Sequence, residues 1–227
     1  MNVYKVLAFS DLHGERRAIE IAKTIARKEG VQLIVFLGDF SRKVGDEKAN
    51  MEDASYFVGQ LRGVTTLKCL FGNCDVPKTR EFLEKEGVSL HKKFLAIGKT
   101  GILGFGGSSP TPFHTPSEFS ENDIQESLEL LITEIAKLEP ERLILFTHCP
   151  PKNTKADELP GGHVGSTAIR EIIDKHQPNF CICGHIHEAK SIDSVGSTKI
   201  INVGPSKEGN FLLITIGDTI ETTQIKI

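Results

Sequence analysis

"VYKVLAFSDLHG" (residues 3–14) and "VQLIVFLGDF" (residues 31–40) share one plan, in which a nearly uninterrupted apolar run ends in a polar turn. Runs this uniformly apolar are typical of strands buried on both faces, as in α/β sheets. A helix is predicted between them, from about Glu15 to Lys28. The alternation of strand, helix and strand therefore predicts an α/β fold for this part of the chain.

The same plan returns three times further along the chain. The apolar runs are "TTLKCLFGN" (residues 65–73), "RLILFTHCPP" (residues 142–151) and "NFCICGHIHE" (residues 179–188). A hairpin is predicted for "KKFLAIGKTGILGFGG" (residues 92–107), which contains a Gly-bearing turn. From Ala189 onward three or four short strands alternate, with turns near Gly196, Gly209 and Gly217. The predicted order is α/β first, followed by a β-rich end.

Three further helices are predicted from apolar residues that recur at helical spacing. The apolar face of one contains Met51, Ala54, Phe57, Val58 and Leu61. That of the longest contains Ile124, Leu128, Leu131, Ile135 and Leu138. Ser120 is placed to cap the longest helix. The last contains Ile169, Ile172 and Ile173, and Pro178 ends it.

Composition narrows the class of protein. The chain has 227 residues, 39% hydrophobic and 25% charged, which is ordinary for a globular protein with a core. A net charge of −3 without a basic run makes a long nucleic acid a poor partner. The first strand begins at Val3, which leaves no room for a signal peptide, and no apolar run reaches membrane-spanning length. Five cysteines without framework spacing suggest reduced thiols in the cytoplasm. With no linker, residues 1–227 are expected to form one domain; the oligomeric state is not indicated.

Potential metal ligands follow each of the five apolar runs that end in polar turns. They are Asp11, His13, Asp39, Asn73, His148, His185 and His187. Taken singly, a Gly-Asp pair after a strand is usually a turn, and a lone Thr-His is usually a structural histidine. Because ligands bind beyond the carboxyl ends of strands in α/β sheets, the seven donors together predict a metal centre there.

The donor types indicate which metal and how many ions. Imidazole nitrogen mixed with carboxylate and amide oxygen suits Mn, Fe, Zn, Co or Ni better than Ca or Mg, and Mn²⁺ is the ion we expect first. Seven donors exceed what one ion needs while it keeps a position open for water. Two divalent ions that share a carboxylate fit better. Asp39, alone on its turn, is the natural bridge.

The order of these motifs resembles that of the calcineurin-like metallophosphoesterase superfamily. The matching blocks are D-x-H-G at 11–14, G-D at 38–39, G-N at 72–73, a strand-end His148 and G-H-x-H at 184–187. "INVGP" at residues 201–205 resembles the segment that follows them. The resemblance implies a four-layer αββα sandwich with two mixed β-sheets and a dinuclear centre at the strand ends.

The resemblance also implies roles for individual residues. One ion would be held by Asp11, His13, Asp39 and His187. The other would be held by Asp39, Asn73, His148 and His185. A hydroxide between the ions would attack phosphorus in line. Asp39, Asn73 and His148 are accordingly expected to take part in catalysis.

Cys74 departs from the family pattern, since many members carry histidine directly after the motif asparagine. The Cys74 thiol has three alternative roles: a phosphatase nucleophile, a ligand of a soft metal ion, or a bystander beside the ligands. Cys74 and Arg80 have the C-x5-R spacing of tyrosine-phosphatase loops, but Pro77 lacks the N–H that such a loop needs. The surrounding donors are mostly hard. The pattern favours a bystander or weak proton donor.

"CICGHIH" (residues 181–187) offers a structural zinc site as an alternative, because Cys181, Cys183, His185 and His187 alternate. Residues two apart in a strand lie ~6.6 Å apart, so four alternating donors cannot reach one ion unless the chain folds back. Buried core thiols are the simpler interpretation.

Two more histidines are candidates for contact with substrate or for protonation of the leaving group. His114 lies in the Ser/Thr/Pro-rich loop, and His163 lies in "GGHVGS" before a helix. Each could equally be a solvated loop histidine. A long loop without secondary structure tends to be functional, so residues 107–121 are expected to form a rim of the active site.

The sequence thus predicts a metal-dependent hydrolase acting on small phosphoester substrates, with diesters preferred over monoesters. That preference rests on Cys74 and on the lack of an evident arginine clamp. The nearby candidates for such a clamp are Arg16, Arg17, Arg42 and Arg80. The alternative is a non-catalytic scaffold of the same fold that binds partner proteins. The complete set of histidines argues against it.

Overall fold

The structure is a computed structural model that describes residues 3–227. The helices of this part of the chain are α1 (Arg16–Glu29), α2 (Glu47–Leu61), α3 (Pro77–Lys85), α4 (Glu121–Ala136) and α5 (Thr167–His176). The first strands are β1 (Tyr4–Phe9), β2 (Leu33–Phe36), β3 (Thr66–Cys69), β4 (Lys93–Ile97), β5 (Thr100–Phe105) and β6 (Arg142–Thr147). They are followed by β7 (Glu158–Leu159), β8 (Gly162–His163), β9 (Phe180–Cys183), β10 (Ser191–Val195), β11 (Thr198–Asn202), β12 (Asn210–Ile216) and β13 (Ile220–Lys226).

Two large sheets, both mixed, contain most of the strands. The first has the order β13-β12-β1-β2-β3, and the second has the order β10-β11-β9-β6-β5-β4. β1, β2 and β3 run parallel, β12 is antiparallel to β1, and β13 is antiparallel to β12. β5, β6, β9 and β11 also run parallel, with β4 and β10 antiparallel at the two edges.

The alternation of side chains along the strands builds four layers. In β1, Leu7 and Phe9 point toward a core shared with α1 and α2, and Val6 and Ala8 point toward a core between the two sheets. A third core lies between the second sheet and helices α4 and α5. Because both faces of the central strands are buried, their sequences are apolar without interruption. The αββα sandwich with two mixed sheets is confirmed.

Most predicted elements are present, with four differences. α2 begins at Glu47, earlier than its first apolar residue, because Asp46 caps it by accepting from the Ala49 N–H at 3.0 Å. α4 ends at Ala136, so Leu138 lies beyond the helix and is 56% exposed. α3 and the short β7–β8 hairpin were not predicted.

In residues 3–227 no helix combines the length and apolar character needed to cross a membrane.

Candidate metal centre

The turns after β1, β2 and β9 hold ligand candidates in an unusual backbone conformation. Asp11, His13, Asp39 and His185 have φ values of 54°, 44°, 62° and 69°. A positive φ costs a non-glycine residue roughly 1–3 kcal/mol, and such strain concentrates at functional sites. The chain thus accepts local strain where it turns these side chains out of the sheets.

Two glycines allow the turns to approach each other closely. A Cβ at Gly72 would lie 2.0 Å from Asp39 Oδ1, and a Cβ at Gly184 would lie 2.5 Å from Asp11 Oδ2. Both distances are far below van der Waals contact. The glycines of the G-N and G-H-x-H motifs are therefore required so that the carboxylates of two other turns can fit against them.

Asp11, His13 and His187 form the first half of the candidate centre. Asp11 Oδ1 lies 3.2 Å from His187 Nε2 and 3.9 Å from His13 Nε2. The two histidine Nε2 atoms are 3.2 Å apart. Their potential ligand atoms all lie within 4.8 Å of one another, which makes the three residues a group that could hold a metal ion.

Asp39, Asn73 and His148 lie beside this group and form the second half. His148 Nε2 is 3.0 Å from Asn73 Oδ1 and 3.7 Å from Asp39 Oδ2. Asp39 Oδ2 is also 3.8 Å from His13 Nε2. Asp11, Asp39 and His148 form a second group that could hold an ion. One oxygen of Asp39 thus lies near a histidine of each half.

His185 joins the second half through ring packing. Its ring centroid lies 5.0 Å from that of His148. Its backbone N–H donates to Asp11 Oδ2 at 3.1 Å, which ties the turn after β9 to the turn after β1. The structure thus brings all seven predicted residues together beyond the carboxyl ends of the strands, His185 through its ring and its backbone.

Backbone carbonyls orient two of the histidines. The Nδ1 of His148 is 2.9 Å from the Leu37 carbonyl oxygen, and the Nδ1 of His13 is 3.3 Å from the Ser41 carbonyl oxygen. Because a carbonyl only accepts, each Nδ1 carries a proton, which leaves Nε2 of the neutral ring as the atom that could bind a metal ion. This is the outer arrangement that metal-binding histidines usually have.

Asn73 is oriented by the loop between β5 and α4. Its Nδ2 donates to Thr115 Oγ1 at 3.0 Å, so its Oδ1 faces His148. The Thr115 hydroxyl donates in turn to Glu118 Oε1 at 2.6 Å, as does the Thr111 hydroxyl. The predicted rim loop therefore lies beside the cluster and fixes which end of the Asn73 amide faces it.

Asp75 was not singled out from the sequence, although it is the fourth letter of G-N-C-D. Its carboxylate is fully buried and accepts backbone N–H groups from Gly72 at 2.8 Å and from Asp39 and Phe40 at 2.9 Å each. Burial and the charge of Asp39 raise its pKa, and the three N–H groups oppose that rise. Asp75 thus ties the turn after β2 to the turn after β3.

The pKa shifts of Asp11, His13 and His185 favour the forms that bind metal, whereas that of His187 does not. Burial alone would raise the pKa of Asp11, but interactions with His187 and His148 hold it below its ordinary value. Burial lowers the pKa of His13 and lowers that of His185 to about 4. Interaction with Asp11 raises the pKa of His187. Around neutral pH the site therefore presents an ionised Asp11 with neutral His13 and His185.

The surroundings of Asp11 Oδ1 indicate whether these residues fit a metal cation. Asp11 Oδ1 is buried and has no hydrogen-bond partner of good geometry; its closest polar contact is a charge interaction with His187 Nε2 at 3.2 Å. A buried carboxylate oxygen without a partner is costly in a folded protein. A divalent cation among these oxygens and nitrogens would compensate for that cost, so the residues fit a metal ion.

Cys74 contributes its backbone to the site. Its N–H donates to Asp39 Oδ1 at 3.0 Å, and its half-buried thiol has a pKa raised by burial and by the charge of Asp39. A neutral thiol is a poor nucleophile. The next N–H groups are already bonded, that of Asp75 to Gly72 and that of Val76 to Asn50, and α3 begins at Pro77. The phosphate cradle of a C-x5-R loop is absent from this described segment.

The other candidates separate from the cluster in different ways. Cys181 and Cys183 are buried in the core between the second sheet and its helices, while His185 and His187 turn toward the ligands. His163 is held by Asp157 through an Nδ1–Oδ1 contact of 2.8 Å on the β7–β8 hairpin. His114 lies exposed on the rim loop with φ of 50°.

Comparison with known proteins agrees with this geometry. The family model of the calcineurin-like phosphoesterases matches residues 4–189. The uncharacterized protein MJ1162 of Methanocaldococcus jannaschii is 32% identical over 207 residues, which are 88% of each chain.

Two solved structures show the same fold at low sequence identity. A dimetal phosphatase from Danio rerio has a TM-score of 0.75 at 14% identity, over 98% of this chain and 96% of that one. The protein TT1561 of Thermus thermophilus has a TM-score of 0.69 at 18% identity, over 98% of this chain and 99% of that one. The family match, which spans most of the chain and all seven donors, shows that this chain belongs to the calcineurin-like phosphoesterase family.

Proposed function

We propose that the protein hydrolyses small phosphodiesters, and phosphomonoesters less well, with two divalent transition-metal ions at the ends of β1, β2, β3, β6 and β9. The position of Asp39 carries this proposal. Its Oδ2 lies 3.8 Å from His13 Nε2 and 3.7 Å from His148 Nε2, while its Oδ1 is occupied by the Cys74 N–H. One oxygen is thus left to serve two ions.

The proposed ligand sets divide at Asp39. Asp11, His13 and His187 would complete one site, and Asn73, His148 and His185 would complete the other. Asp11 belongs to both candidate groups, but the two histidine nitrogens within 4 Å of its Oδ1, those of His187 and His13, lie in the same half, whereas Asp39 Oδ2 is near one histidine of each half. Two bound ions would supply Lewis-acid activation of water and of the phosphoryl group.

The chain's own residues would prepare this chemistry. The Leu37 and Ser41 carbonyls keep protons on the Nδ1 atoms of His148 and His13, so that both Nε2 lone pairs face inward. Thr115 keeps the Asn73 oxygen inward in the same way. The oxygen and imidazole donors together favour Mn²⁺, with Fe, Zn, Co or Ni as alternatives. Such preorganisation means that little rearrangement is needed when metal binds.

The preference for diesters follows from residue 74. We place the chain in a branch of the family whose motif reads G-N-C-D. A thiol with a raised pKa brings no positive charge to the leaving group or to the second negative charge of a monoester. A diester carries one negative charge fewer than a monoester and therefore needs less positive charge from residue 74.

A metal-reconstituted activity screen tests the proposal. Metal-free protein should hydrolyse neither nitrophenyl diesters nor nitrophenyl monoesters, and Mn²⁺ should restore activity more readily than Mg²⁺. The kcat/KM should be larger for the diester. No hydrolysis with any divalent metal across alkyl, aryl and nucleotide esters would contradict the proposal and favour the scaffold alternative.

A further inference from the structure

Lys207 is a cation beside the candidate centre that sequence reasoning did not select. It lies in the short 3-10 turn Ser206–Glu208, which joins β11 of the second sheet to β12 of the first. Its Nζ is 3.4 Å from His187 Nδ1. Its charge also acts on the pKa of His13, where burial is the largest influence. Lys207 therefore faces the Asp11 half of the centre.

The backbone beneath Lys207 is firmly anchored. The Ser206 N–H donates to the Ser10 carbonyl at 2.7 Å, directly before Asp11. The Asn210 side chain donates to the Pro205 carbonyl at 3.0 Å. The side chain of Lys207 itself is exposed. A long flexible stem on a fixed turn lets the ammonium group move while its base stays beside the ligands.

The contact with His187 cannot persist once that histidine binds metal through Nε2. An ammonium group only donates, so the contact requires a lone pair on His187 Nδ1. His187 Nε2 faces Asp11 and His13, which makes it the atom that would bind the ion. A neutral imidazole that gives its Nε2 lone pair to a metal carries its proton on Nδ1. Two donors would then face each other, and Lys207 would need another acceptor.

Two of the four arginines considered for a phosphate clamp have contacts with aromatic rings. The Arg16 guanidinium lies 4.2 Å from the Tyr56 ring centroid, and the Arg80 guanidinium lies 6.0 Å from that of Phe71. We propose that Lys207 binds a non-bridging phosphoryl oxygen of the substrate, and that metal binding to His187 frees it to do so. This inference rests on the proposed phosphoesterase function. It gives the site a cation from the protein for the negative charge of a diester.

Two affinities measured on the same variants test the inference. Titration calorimetry would follow inorganic phosphate binding to the Mn²⁺-loaded protein, and competition with a chelator would give the Mn²⁺ affinity. The variants are Lys207→Met, Lys207→Gln, Lys207→Arg and, as control, Lys137→Met. Lys137 is an exposed lysine at the end of α4 that pairs with Glu134.

Lys207→Met and Lys207→Gln should bind phosphate about 10- to 100-fold more weakly, the range expected for one charge-assisted hydrogen bond. They should bind Mn²⁺ at least as tightly as wild type, because a positive charge beside the ion is removed. Lys207→Arg should keep most of the phosphate affinity, and Lys137→Met should change neither quantity.

Unchanged phosphate affinity in both neutral variants would overturn the inference. So would a joint loss of Mn²⁺ and phosphate affinity, since that would mark Lys207 as a support of the metal site. A wild-type protein that binds Mn²⁺ and phosphate but hydrolyses no phosphoester would instead overturn the proposed function. The phosphate titrations would then still test whether Lys207 binds phosphate.

Discussion

At the scale of single residues, the two oxygens of Asp39 have different tasks. Oδ1 accepts the Cys74 N–H, and Oδ2 lies within 4 Å of one histidine in each half of the cluster. The role of position 74 in this arrangement is carried by its backbone. The thiol can therefore be exchanged without loss of the contact that orients Asp39.

This division predicts different outcomes for two substitutions. Asp39→Asn should abolish activity, because it removes the shared anionic oxygen from both sites. Cys74→Ser should leave metal binding intact and lower kcat by less than ~100-fold, the low end of a general-acid effect. Steady-state kinetics with metal analysis of both variants checks this. A Cys74→Ser protein as inactive as Asp39→Asn would show that the thiol is a nucleophile or ligand.

Asp75 provides a second prediction at this scale. Both of its oxygens accept backbone N–H groups, so an asparagine would leave at least one of these donors facing an NH₂ group. Asp75→Asn should lower the free energy of unfolding by about 1–3 kcal/mol and also weaken Mn²⁺ binding. Denaturant titration and chelator competition measure the two effects.

Asp157→Asn is the matched control for Asp75→Asn. Asp157 is another buried carboxylate and accepts the Thr154 and Gly165 N–H groups at 2.8 and 2.9 Å. The Asp157→Asn variant should be less stable than wild type, while its Mn²⁺ affinity should be unchanged. Equal Mn²⁺ affinity in wild type and Asp75→Asn would show that the Asp75 contacts do not position the ligands.

The sequence predicted the residues that gather at the strand ends but not the residues that support them, for a physical reason. A metal ligand must be one of a few side-chain types at a strand end, so Asp11 or His148 is visible in the pattern. Asp75 acts on backbone N–H groups of a turn about 35 residues earlier in the chain. Lys207 lies on a turn whose Ser206 N–H donates to the Ser10 carbonyl, far away in the sequence. Neither relation leaves a spacing that a sequence shows.

At the scale of elements, the rim loop between β5 and α4 determines how Asn73 faces the cluster. The Thr115 hydroxyl accepts from the Asn73 amide and donates to Glu118, whereas the Thr111 hydroxyl donates to Glu118 and accepts the Phe113 N–H. The two threonines share a loop and an acceptor, but only Thr115 reaches a ligand candidate. They form a natural pair for testing the loop.

Thr115→Val should weaken Mn²⁺ binding by about 10- to 100-fold, the usual cost of losing an outer contact to a ligand. Without the hydroxyl, the Asn73 amide is free to turn its NH₂ toward His148. Thr111→Val should change the Mn²⁺ affinity far less. Chelator competition on both proteins checks the difference, and equal losses would mean that general loop disorder, not the Asn73 contact, is responsible.

Helix α3 shows what limits prediction of elements. Its sequence "PKTREFLEK" has Phe82 and Leu83 as its only apolar side chains besides the starting proline, and only Leu83 of this pair is fully buried. So short an apolar pattern does not distinguish a helix from a loop. The long helices and uniformly apolar strands were predictable because their periodicity extends over several turns or a whole strand.

At the scale of the whole molecule, His91 links stability to pH. It is buried among Phe71, Phe105 and Phe119, and its Nδ1 accepts the Gly106 N–H at 3.0 Å. Burial lowers its pKa to about 3. In the unfolded chain His91 has a pKa of about 6.5, so below that pH it binds a proton that it does not bind in the folded protein. The free energy of unfolding therefore falls as the pH drops from about 6.5 toward 3.

The contribution of His91 to this loss is about 2 kcal/mol between pH 7 and pH 5. His91→Gln, which keeps an acceptor for Gly106, should be less stable at pH 7 but should lose about 2 kcal/mol less than wild type between these pH values. Denaturant unfolding of the metal-free proteins measures both. His114→Gln, at an exposed position, should follow the wild-type pH dependence. A parallel pH dependence of His91→Gln and wild type would contradict this assignment.

The number of metal ions bound per chain is the most direct test of the proposed dinuclear centre. The protein would be saturated with Mn²⁺, freed of excess ion by gel filtration and analysed for metal and protein concentration, beside Asp39→Asn treated in the same way. We expect two ions per wild-type chain and a marked loss from both sites in Asp39→Asn, because Asp39 Oδ2 lies near a histidine of each half. One ion or none per wild-type chain, or two ions retained in Asp39→Asn, would contradict a dinuclear centre that shares Asp39.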